Sequence, residues 1–201
     1  MSGAHLVVRQ ATQADTADIL RFMRGLSDFH HELAPEMYVP GSKRTGDRER
    51  LGDWLTREDG VLLVVECDGR TSGYISAEVQ TTRMKTYPAT VYIVDLFIDD
   101  DCRLLGGGSA LTDGVKTWAR QQGIMRIDVI VDCRNALGVN YWQKQGFVET
   151  HRRLQVTLYD HSTYQRFDRT EVRDLRALEE SGRRLHPSPG ATAGGPDACK
   201  D

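Results

Sequence analysis

The pattern of apolar and polar residues in the first half of the chain predicts one long helix among short strands. Apolar residues recur at helical spacing from about Gln13. This run must end before Pro35, because a residue that precedes proline disfavours helical dihedrals. Thr12, with Asp15 three residues later, is typical of a capping box at the start of the helix. The strands expected around this helix cover residues 6–9, 61–67, 73–79 and 91–98.

A tight turn and an amphipathic segment complete the first half. Asp68-Gly69 is a dipeptide that two-residue hairpins prefer, so the strands on either side of it should be antiparallel neighbours. Residues 36–47 contain glycines, a proline and several charges, which predict a loop. A short amphipathic helix that carries Leu51, Trp54 and Leu55 follows the loop.

The second half of the chain alternates strands with helices. A helix over residues 106–122 should end at Gly123, and a second over residues 136–144 should end at Gly146, because glycine commonly terminates helices. The two halves together predict an α/β fold, with a mixed, mostly antiparallel central sheet flanked by helices. The further strands expected here cover residues 126–133 and 153–159.

Composition supports a soluble globular domain with a distinct C-terminal segment. Of 201 residues, 39% are hydrophobic and 27% are charged, which suits one folded domain. We expect that domain to cover residues 1–164. Residues 165–185 are strongly charged with few apolar positions and predict a C-terminal helix, and residues 186–201 are rich in proline and glycine and predict a disordered tail.

Charge, hydropathy and cysteine content indicate the expected cellular location and the partners of the protein. The formal net charge is -3, so no overall positive field would attract nucleic acid. The longest apolar run is too short to span a bilayer. The four cysteines show no close pairing, and no group of His, Cys and carboxylates has metal-ligand spacing. We therefore expect a cytoplasmic protein without nucleic-acid or membrane partners and without a metal.

The segment with the clearest chemical meaning is residues 92–111. A strand ends at Ile98, an acidic turn follows, and Gly106-Gly107-Gly108 opens a helix. The first amides of a helix have no internal partner, and the helix dipole adds partial positive charge beside them. Such an end can hold a pyrophosphate. A P-loop does not fit, since no Gly-Lys-Ser/Thr follows, and the glycines are too closely packed for a GxGxxG dinucleotide motif.

Two motifs together resemble the GNAT family of N-acetyltransferases. Residues 103–108, RLLGGG, match that family's R/Q-x-x-G-x-G/A signature, and residues 95–99 resemble its central strand. Residues 135–147 are similar to its N-x-x-A-x-x-Φ-Y-x-K-x-G-F block, although two positions depart from it. The likeness covers roughly residues 6–160. It implies a GNAT-like acyl-CoA N-acyltransferase fold and acetyl-CoA as co-substrate.

The resemblance also implies which residues hold acetyl-CoA. The central strand would line the pantetheine arm and thioester, and the amides of the glycine turn would hold the pyrophosphate. Asn135 would contact the pantetheine arm, cap the next helix, or do both. The cofactor-binding residues expected on this basis are Leu96, Phe97, Ile98, Arg103, Leu104, Leu105, Gly106, Gly107, Gly108, Ser109 and Asn135.

The groups that would move protons are less clearly marked. Asp95 alternates with Val94 and Leu96, and it is a candidate base, directly or through water; it could equally hold substrate charge or be an acidic residue of the rim. Trp142 occupies the position of the family's usual tyrosine acid, with Tyr141 one residue earlier. Either Tyr141 reaches the sulfur, with a modest contribution, or the thiolate leaves without a dedicated acid.

The acceptor side is the least defined from sequence. His30 and His31, at the end of the first long helix, are candidates for the substrate pocket, His30 on the apolar stripe and His31 off it. Acidic residues expected nearby would favour a cationic small-molecule amine. A protein amine and a non-catalytic acyl-CoA-binding module are the alternatives, and a homodimer is an expectation from the family alone. The acidic residues in question are Asp28, Glu32, Glu36, Glu78, Asp95 and Asp99.

Overall fold

The computed structural model describes residues 5–81 and 86–156. The strands in these residues are β1 (Leu6–Gln10), β2 (Gly60–Cys67), β3 (Arg70–Thr81), β4 (Ala89–Ile98) and β5 (Ile127–Val129). The α-helices are α1 (Thr16–Leu33), α2 (Asp47–Thr56), α3 (Asp100–Arg103), α4 (Gly107–Gln121) and α5 (Ala136–Lys144). Single turns of 3-10 helix lie at Gln13–Asp15 and Gly41–Lys43. Among the described residues, no helix has the length and hydrophobicity needed to cross a bilayer.

The five strands form one sheet in the order β1-β2-β3-β4-β5. The first four are antiparallel to their neighbours, and β5 runs parallel to β4. Asp68 and Gly69, with φ of 51° and 81°, make the tight turn between β2 and β3. The left-handed backbone of both residues fits a turn whose twist matches that of the strands. The predicted mixed, mostly antiparallel sheet is confirmed.

Each face of the sheet buries its own apolar cluster. The face toward α4 and α5 holds one cluster, and the face toward α1 and α2 holds the other, because side chains alternate between the faces of a strand. The α4-side cluster includes Val61, Leu63, Val65, Ile75, Val91, Ile93, Leu111, Val115 and Trp142. The α1-side cluster includes Ile19, Phe22, Met23, Leu51, Leu62, Val64 and Tyr74.

A β-bulge in β4 reverses this alternation part-way along the strand. Ser76 of β3 faces Asp95, and Ala77 faces Ile93, so Val94 is the extra residue. Before the bulge, Ile93 points toward α4; beyond it, Ile98 belongs to the α4-side cluster. Leu96 also packs on the α4 side. Asp95 and Phe97, which alternate with Leu96 and Ile98, are therefore turned toward α1 and α2.

Five sequence predictions need correction or lie wholly or partly beyond the described residues. The strand expected over residues 126–133 is only Ile127–Val129, because β4 offers no pairing partner beyond that point. The strand expected over residues 153–159 is absent from residues 153–156, and the rest of it lies outside the described residues. The chain divides into two units, Met1–His151 and Arg152–Asp201. The predicted helix at 165–185, the tail at 186–201 and the domain end at 164 lie outside the described residues.

A buried carboxylate anchors the start of α1. Asp15 is 3% exposed. It forms two 2.8 Å hydrogen bonds with the Arg9 guanidinium and accepts the Thr12 amide at 2.8 Å. The Arg9 guanidinium, with smaller help from Thr12, lowers the pKa of Asp15 to about 2, although burial opposes the shift. The predicted capping box is confirmed, and Arg9 of β1 adds two hydrogen bonds to its carboxylate.

We expect Asp15→Asn to lower the free energy of unfolding by about 1–3 kcal/mol at pH 7, because the Arg9 guanidinium loses one of its two charged partners and keeps only Glu66. The Asp15 carboxylate contributes fully above its unfolded pKa of about 3.9, and this contribution is lost as the pH falls through about 2. Urea titrations at several pH values measure the difference. Asp18→Asn is the control, since Asp18 makes only an exposed 3.6 Å contact with Arg21. Equal effects of the two variants would contradict this account.

Candidate functional site

The pairing of β4 with β5 ends part-way along β4. The two strands pair only from Val91 opposite Ile127 to Ile93 opposite Val129. Beyond that point β4 continues to Ile98, and one of its edges pairs with no strand in the described part of the chain. An unpaired strand edge exposes backbone donors and acceptors, which can pair with an extended ligand instead.

The N-terminus of α4 follows the end of this edge. Gly106 has a φ of 90°, a left-handed conformation that suits glycine, and it turns the chain into the helix. The first helical hydrogen bond runs from the Ala110 amide to the Gly106 carbonyl, at 3.0 Å. The amides of Gly107, Gly108 and Ser109 therefore donate to no acceptor among the described residues. With the dipole of a 15-residue helix behind them, they make a site suited to an anion.

Close packing beneath the turn explains two of its glycines. A Cβ on Gly107 would lie 2.6 Å from the Sγ of Cys102, and one on Gly108 would lie 3.2 Å from the Tyr141 hydroxyl. These positions are small because the first turn of α4 rests directly on neighbouring side chains. This packing was not predicted from the sequence.

The residues before the glycines form an exposed turn tied to the end of β4. The Arg103 guanidinium donates to the Ile98 carbonyl at 3.1 Å and pairs with Asp100 at 3.0 Å. Leu104 is 93% exposed and Leu105 is 45% exposed. Arg103 thus fixes the turn to the strand, while the two leucines remain accessible beside the unpaired amides.

The side chains at the end of β4 are largely engaged in the core. The Phe97 ring stacks on Phe22, with centroids 5.6 Å apart, and Ile98 is buried on the α4 side. Leu96 is partly buried against the same α4-side cluster. Their predicted contacts with a pantetheine arm stay a prediction, and the unpaired part of this segment is the backbone on the open edge of β4.

Asn135 caps α5. Its side-chain oxygen accepts the Gly138 amide at 2.8 Å. A Cβ on Gly138 would lie 2.6 Å from the Asn135 side-chain nitrogen, so this close cap also requires a glycine there. The capping alternative is confirmed, and the predicted ligand contact of Asn135 stays a prediction.

Tyr141 and Trp142 point in different directions. The Tyr141 hydroxyl lies 2.6 Å from the hydroxyl of Thr112, which is itself buried in α4. Burial raises the pKa of Tyr141 to about 12, against a smaller opposing effect of the Thr112 hydrogen bond. Trp142 is 8% exposed and makes edge-on contacts with Tyr141 and Phe147. Trp142 is thus a core residue, and Tyr141 is the one beside the first turn of α4.

Two contacts that steady this turn were missed from sequence. Thr112 holds the Tyr141 hydroxyl, and the side-chain amide of Gln145 donates to the Ser109 hydroxyl at 2.8 Å. Thr112 lies four residues after Gly108, on the same face of α4, which is the only signal that could have indicated its role.

Asp95 lies on the face of the sheet toward α1 and α2, as the bulge at Val94 requires. Its carboxylate accepts the Tyr74 hydroxyl at 3.2 Å, and the Arg50 guanidinium lies 3.9 Å away. Tyr74 is buried, which raises the pKa of its phenol well above the usual value. Tyr74 is therefore a fixed hydrogen-bond donor to Asp95, whose side chain is one-fifth exposed.

The two histidines have different environments. The His31 Nδ1 lies 2.6 Å from the Tyr38 carbonyl and is committed to the loop after α1. The His30 ring packs against the Tyr38 ring, with centroids 5.0 Å apart. Burial lowers the pKa of His30, while the carboxylates of Asp95 and Asp132 act in the opposite direction. His31 is thus held by the loop after α1, whereas the His30 ring lies within the electrostatic influence of Asp95 and Asp132.

Most of the acidic residues expected around an acceptor are already paired. Arg134 binds Glu36 at 2.6 Å and also Asp132 at 2.9 Å, and it so joins the loop after α1 to the loop after β5. Carboxylates that are already paired are less able to attract a cationic acceptor. The other pairs are Asp28 with the Gly41 amide, Glu78 with Arg57, and Asp99 with Arg21. Within residues 5–81 and 86–156, no cluster of three metal-binding side chains occurs.

Comparisons with known proteins agree with this geometry. A model of the acetyltransferase (GNAT) family matches residues 26–147, more than half of the sequence, and the chain therefore belongs to that family. No curated protein sequence matches the chain.

Solved structures show the same fold at low identity. A mutant protein from Bacillus halodurans matches with a TM-score of 0.68 and 17% identity, over 76% of this chain and 99% of its own. An aminoglycoside 6'-N-acetyltransferase from Acinetobacter baumannii has a TM-score of 0.60 and 14% identity, over 78% and 99%. An aminoglycoside acetyltransferase bound to the bisubstrate analogue CoA-S-monomethyl-acetylneamine has a TM-score of 0.58 and 19% identity, also over 78% and 99%. The predicted fold is confirmed.

Proposed function

We propose that the protein transfers an acetyl group from acetyl-CoA to a primary amine of a small molecule. The observation that carries this proposal is the unpaired amides of Gly107, Gly108 and Ser109, which follow directly on the open edge of β4. A diphosphate held by these amides and an extended pantetheine arm along β4 would bring a thioester to the bulge at Val94, close to Asp95.

Direct attack of the amine on the thioester carbonyl fits the residues best. Backbone amides on the open edge of β4 would stabilise the oxygen that becomes negative during the attack. Cys102, the cysteine nearest the turn, is fully buried, and burial raises its pKa to about 11. A covalent acyl-enzyme on that thiol is therefore disfavoured, because the thiolate is the nucleophile. Asp95, steadied by Tyr74, would hold the ammonium group of the acceptor.

A small acceptor is favoured by a contact between two loops. The pairing of Arg134 with Glu36 links the loop after α1 to the loop after β5. Such a link leaves less room for an extended peptide than an open groove would. The aminoglycoside acetyltransferases with the same fold lend this choice further support. We also propose that the enzyme acts in the cytoplasm, without a nucleic-acid, membrane or metal partner, and that it forms a homodimer as its family suggests.

The direct test is a thiol-release assay with acetyl-CoA against a panel of small amines and peptides, with the acetylated product identified by intact mass. Release of CoA thiol with a small amine, and a one-acetyl increase in that amine's mass, is the expected result. Release only with peptides would redirect the proposal to a protein acetyltransferase. Binding of acetyl-CoA without release for any acceptor would instead indicate a non-catalytic module.

Gly107→Ala should weaken CoA binding by at least about 10-fold, since its Cβ would meet Cys102 Sγ at 2.6 Å and displace the amides of the turn. Calorimetric titration with CoA measures the change. Gly52→Ala is the control, because a Cβ on that helical glycine meets nothing within 4 Å, and its CoA affinity should be unchanged. Unaltered affinity in both variants would show that the turn does not hold CoA.

Tyr141→Phe should slow acetylation by less than about 10-fold, below the 10²–10⁴ typical of an effective general acid. The Tyr141 hydroxyl is held by Thr112, and its raised pKa makes it a reluctant proton donor. Single-turnover rates with saturating acetyl-CoA provide the measurement. Trp142→Phe is a matched control, since a core indole should alter stability more than rate. An unchanged rate in Tyr141→Phe removes the role of Tyr141, and a loss of 10² or more would make it the principal acid.

A further inference from the structure

His30 is a half-buried imidazole without a committed partner. It lies in the last turn of α1, and neither ring nitrogen makes a hydrogen bond to any described residue. Its ring is held between the Tyr38 ring, with centroids 5.0 Å apart, and the Phe29 ring, at 5.8 Å. The neighbouring His31, by contrast, is bound to the Tyr38 carbonyl at 2.6 Å. The fold thus orients His30 without occupying its nitrogens.

The course of α1 along β4 carries its last turn, with His30, toward the point where β4 and β5 separate: Arg21 pairs with Asp99 at 2.9 Å, and a Cβ on Gly25 would lie 3.0 Å from the Phe97 ring. Asp95 acts on it from β4, and Asp132 acts on it from the loop that follows β5. The end of α1 therefore lies on the side of β4 toward which Asp95 is turned, near the point at which the edge of β4 becomes unpaired. The other charged or titratable groups near this opening are Tyr38 after α1, Arg44 and Arg50 close to Asp95, and Arg134 and Glu36 beside Asp132.

His30 is better suited than Asp95 to take a proton from an amine. Asp95 already accepts the Tyr74 hydroxyl and faces Arg50, so its charge is partly engaged. An imidazole is also the stronger base, with an ordinary pKa of about 6.5 against about 3.9 for aspartate. Burial lowers the pKa of His30, so the ring is neutral, and able to accept a proton, at pH 7.

We propose that His30 accepts the proton that the acceptor's ammonium group must lose before it attacks the thioester. This inference rests on the proposed function. The N–H bond of the ammonium breaks, its electron pair becomes the nucleophilic lone pair, and the proton becomes the second N–H of an imidazolium. Asp95 and Asp132 stabilise that imidazolium, which then passes its proton to solvent. The attacking nitrogen loses a second proton as the tetrahedral intermediate collapses to the amide, and that proton neutralises the departing thiolate.

The test compares His30→Gln with His31→Gln using two acceptors: an alkylamine, which is protonated at pH 7, and a hydrazide, which is not. For the alkylamine, we expect His30→Gln to reduce kcat/KM by about 10²-fold or more and to abolish the acidic limb of the pH profile. For the hydrazide, the loss should be under about 5-fold, because no proton must be removed before attack. His31→Gln should retain the acidic limb with the alkylamine.

Equal losses with both acceptors, or an acidic limb that survives in His30→Gln, would overturn the proposal and leave the acetyltransferase assignment standing. A wild-type protein that acetylates no amine would instead contradict both the role of His30 and the acetyltransferase assignment. If His30→Gln does not fold, the wild-type profiles decide: an acidic limb must be present with the alkylamine, and its midpoint must match the His30 pKa measured by NMR. Disagreement between those two values excludes His30 as the base.

Discussion

The separation of β4 from β5 after three paired positions is the constraint on which the rest of the site depends. A continuous parallel ladder would satisfy the backbone of β4 and leave nothing for a ligand. Instead, the ladder ends at Ile93, and the bulge at Val94 follows at once. The sheet therefore has an open edge in its interior, flanked on one side by α4 and on the other by α1.

The bulge also decides which side chains meet at that opening. Without the extra residue at Val94, Asp95 would remain in phase with Ile93 and face α4, inside an apolar cluster where a carboxylate would be costly. With it, Asp95 faces α1 and meets the Tyr74 hydroxyl and the neighbourhood of His30. One inserted residue thus separates the α4-facing side of the strand, which is apolar, from the α1-facing side, which carries Asp95.

Much of the fold was predictable because its signals are local. Asp68-Gly69 marks the hairpin, Gly106 marks the start of α4, and Asn135 marks the cap of α5, each through the backbone conformation or cap that its residue type favours. The two family motifs added the identity of the fold. A fold can be predicted from sequence when such short-range signals agree with the global arrangement.

The parts that sequence did not predict depend on contacts between distant segments. The bulge at Val94 is visible only in the register of β4 against β3. The link from Arg134 to Glu36 joins residues 98 positions apart, and that from Thr112 to Tyr141 joins residues 29 apart. No local pattern specifies such pairs. For the same reason, strand β5 was predicted too long, since its end is set by where β4 turns away.

Hydrogen–deuterium exchange of the protein with and without CoA tests the central claim most directly. We expect CoA to slow exchange at the amides of Gly107, Gly108 and Ser109 and at the amides on the open edge of residues 94–98, since these groups have no partner in the described part of the chain. Protection confined to other segments, or no change at saturating CoA, would contradict it.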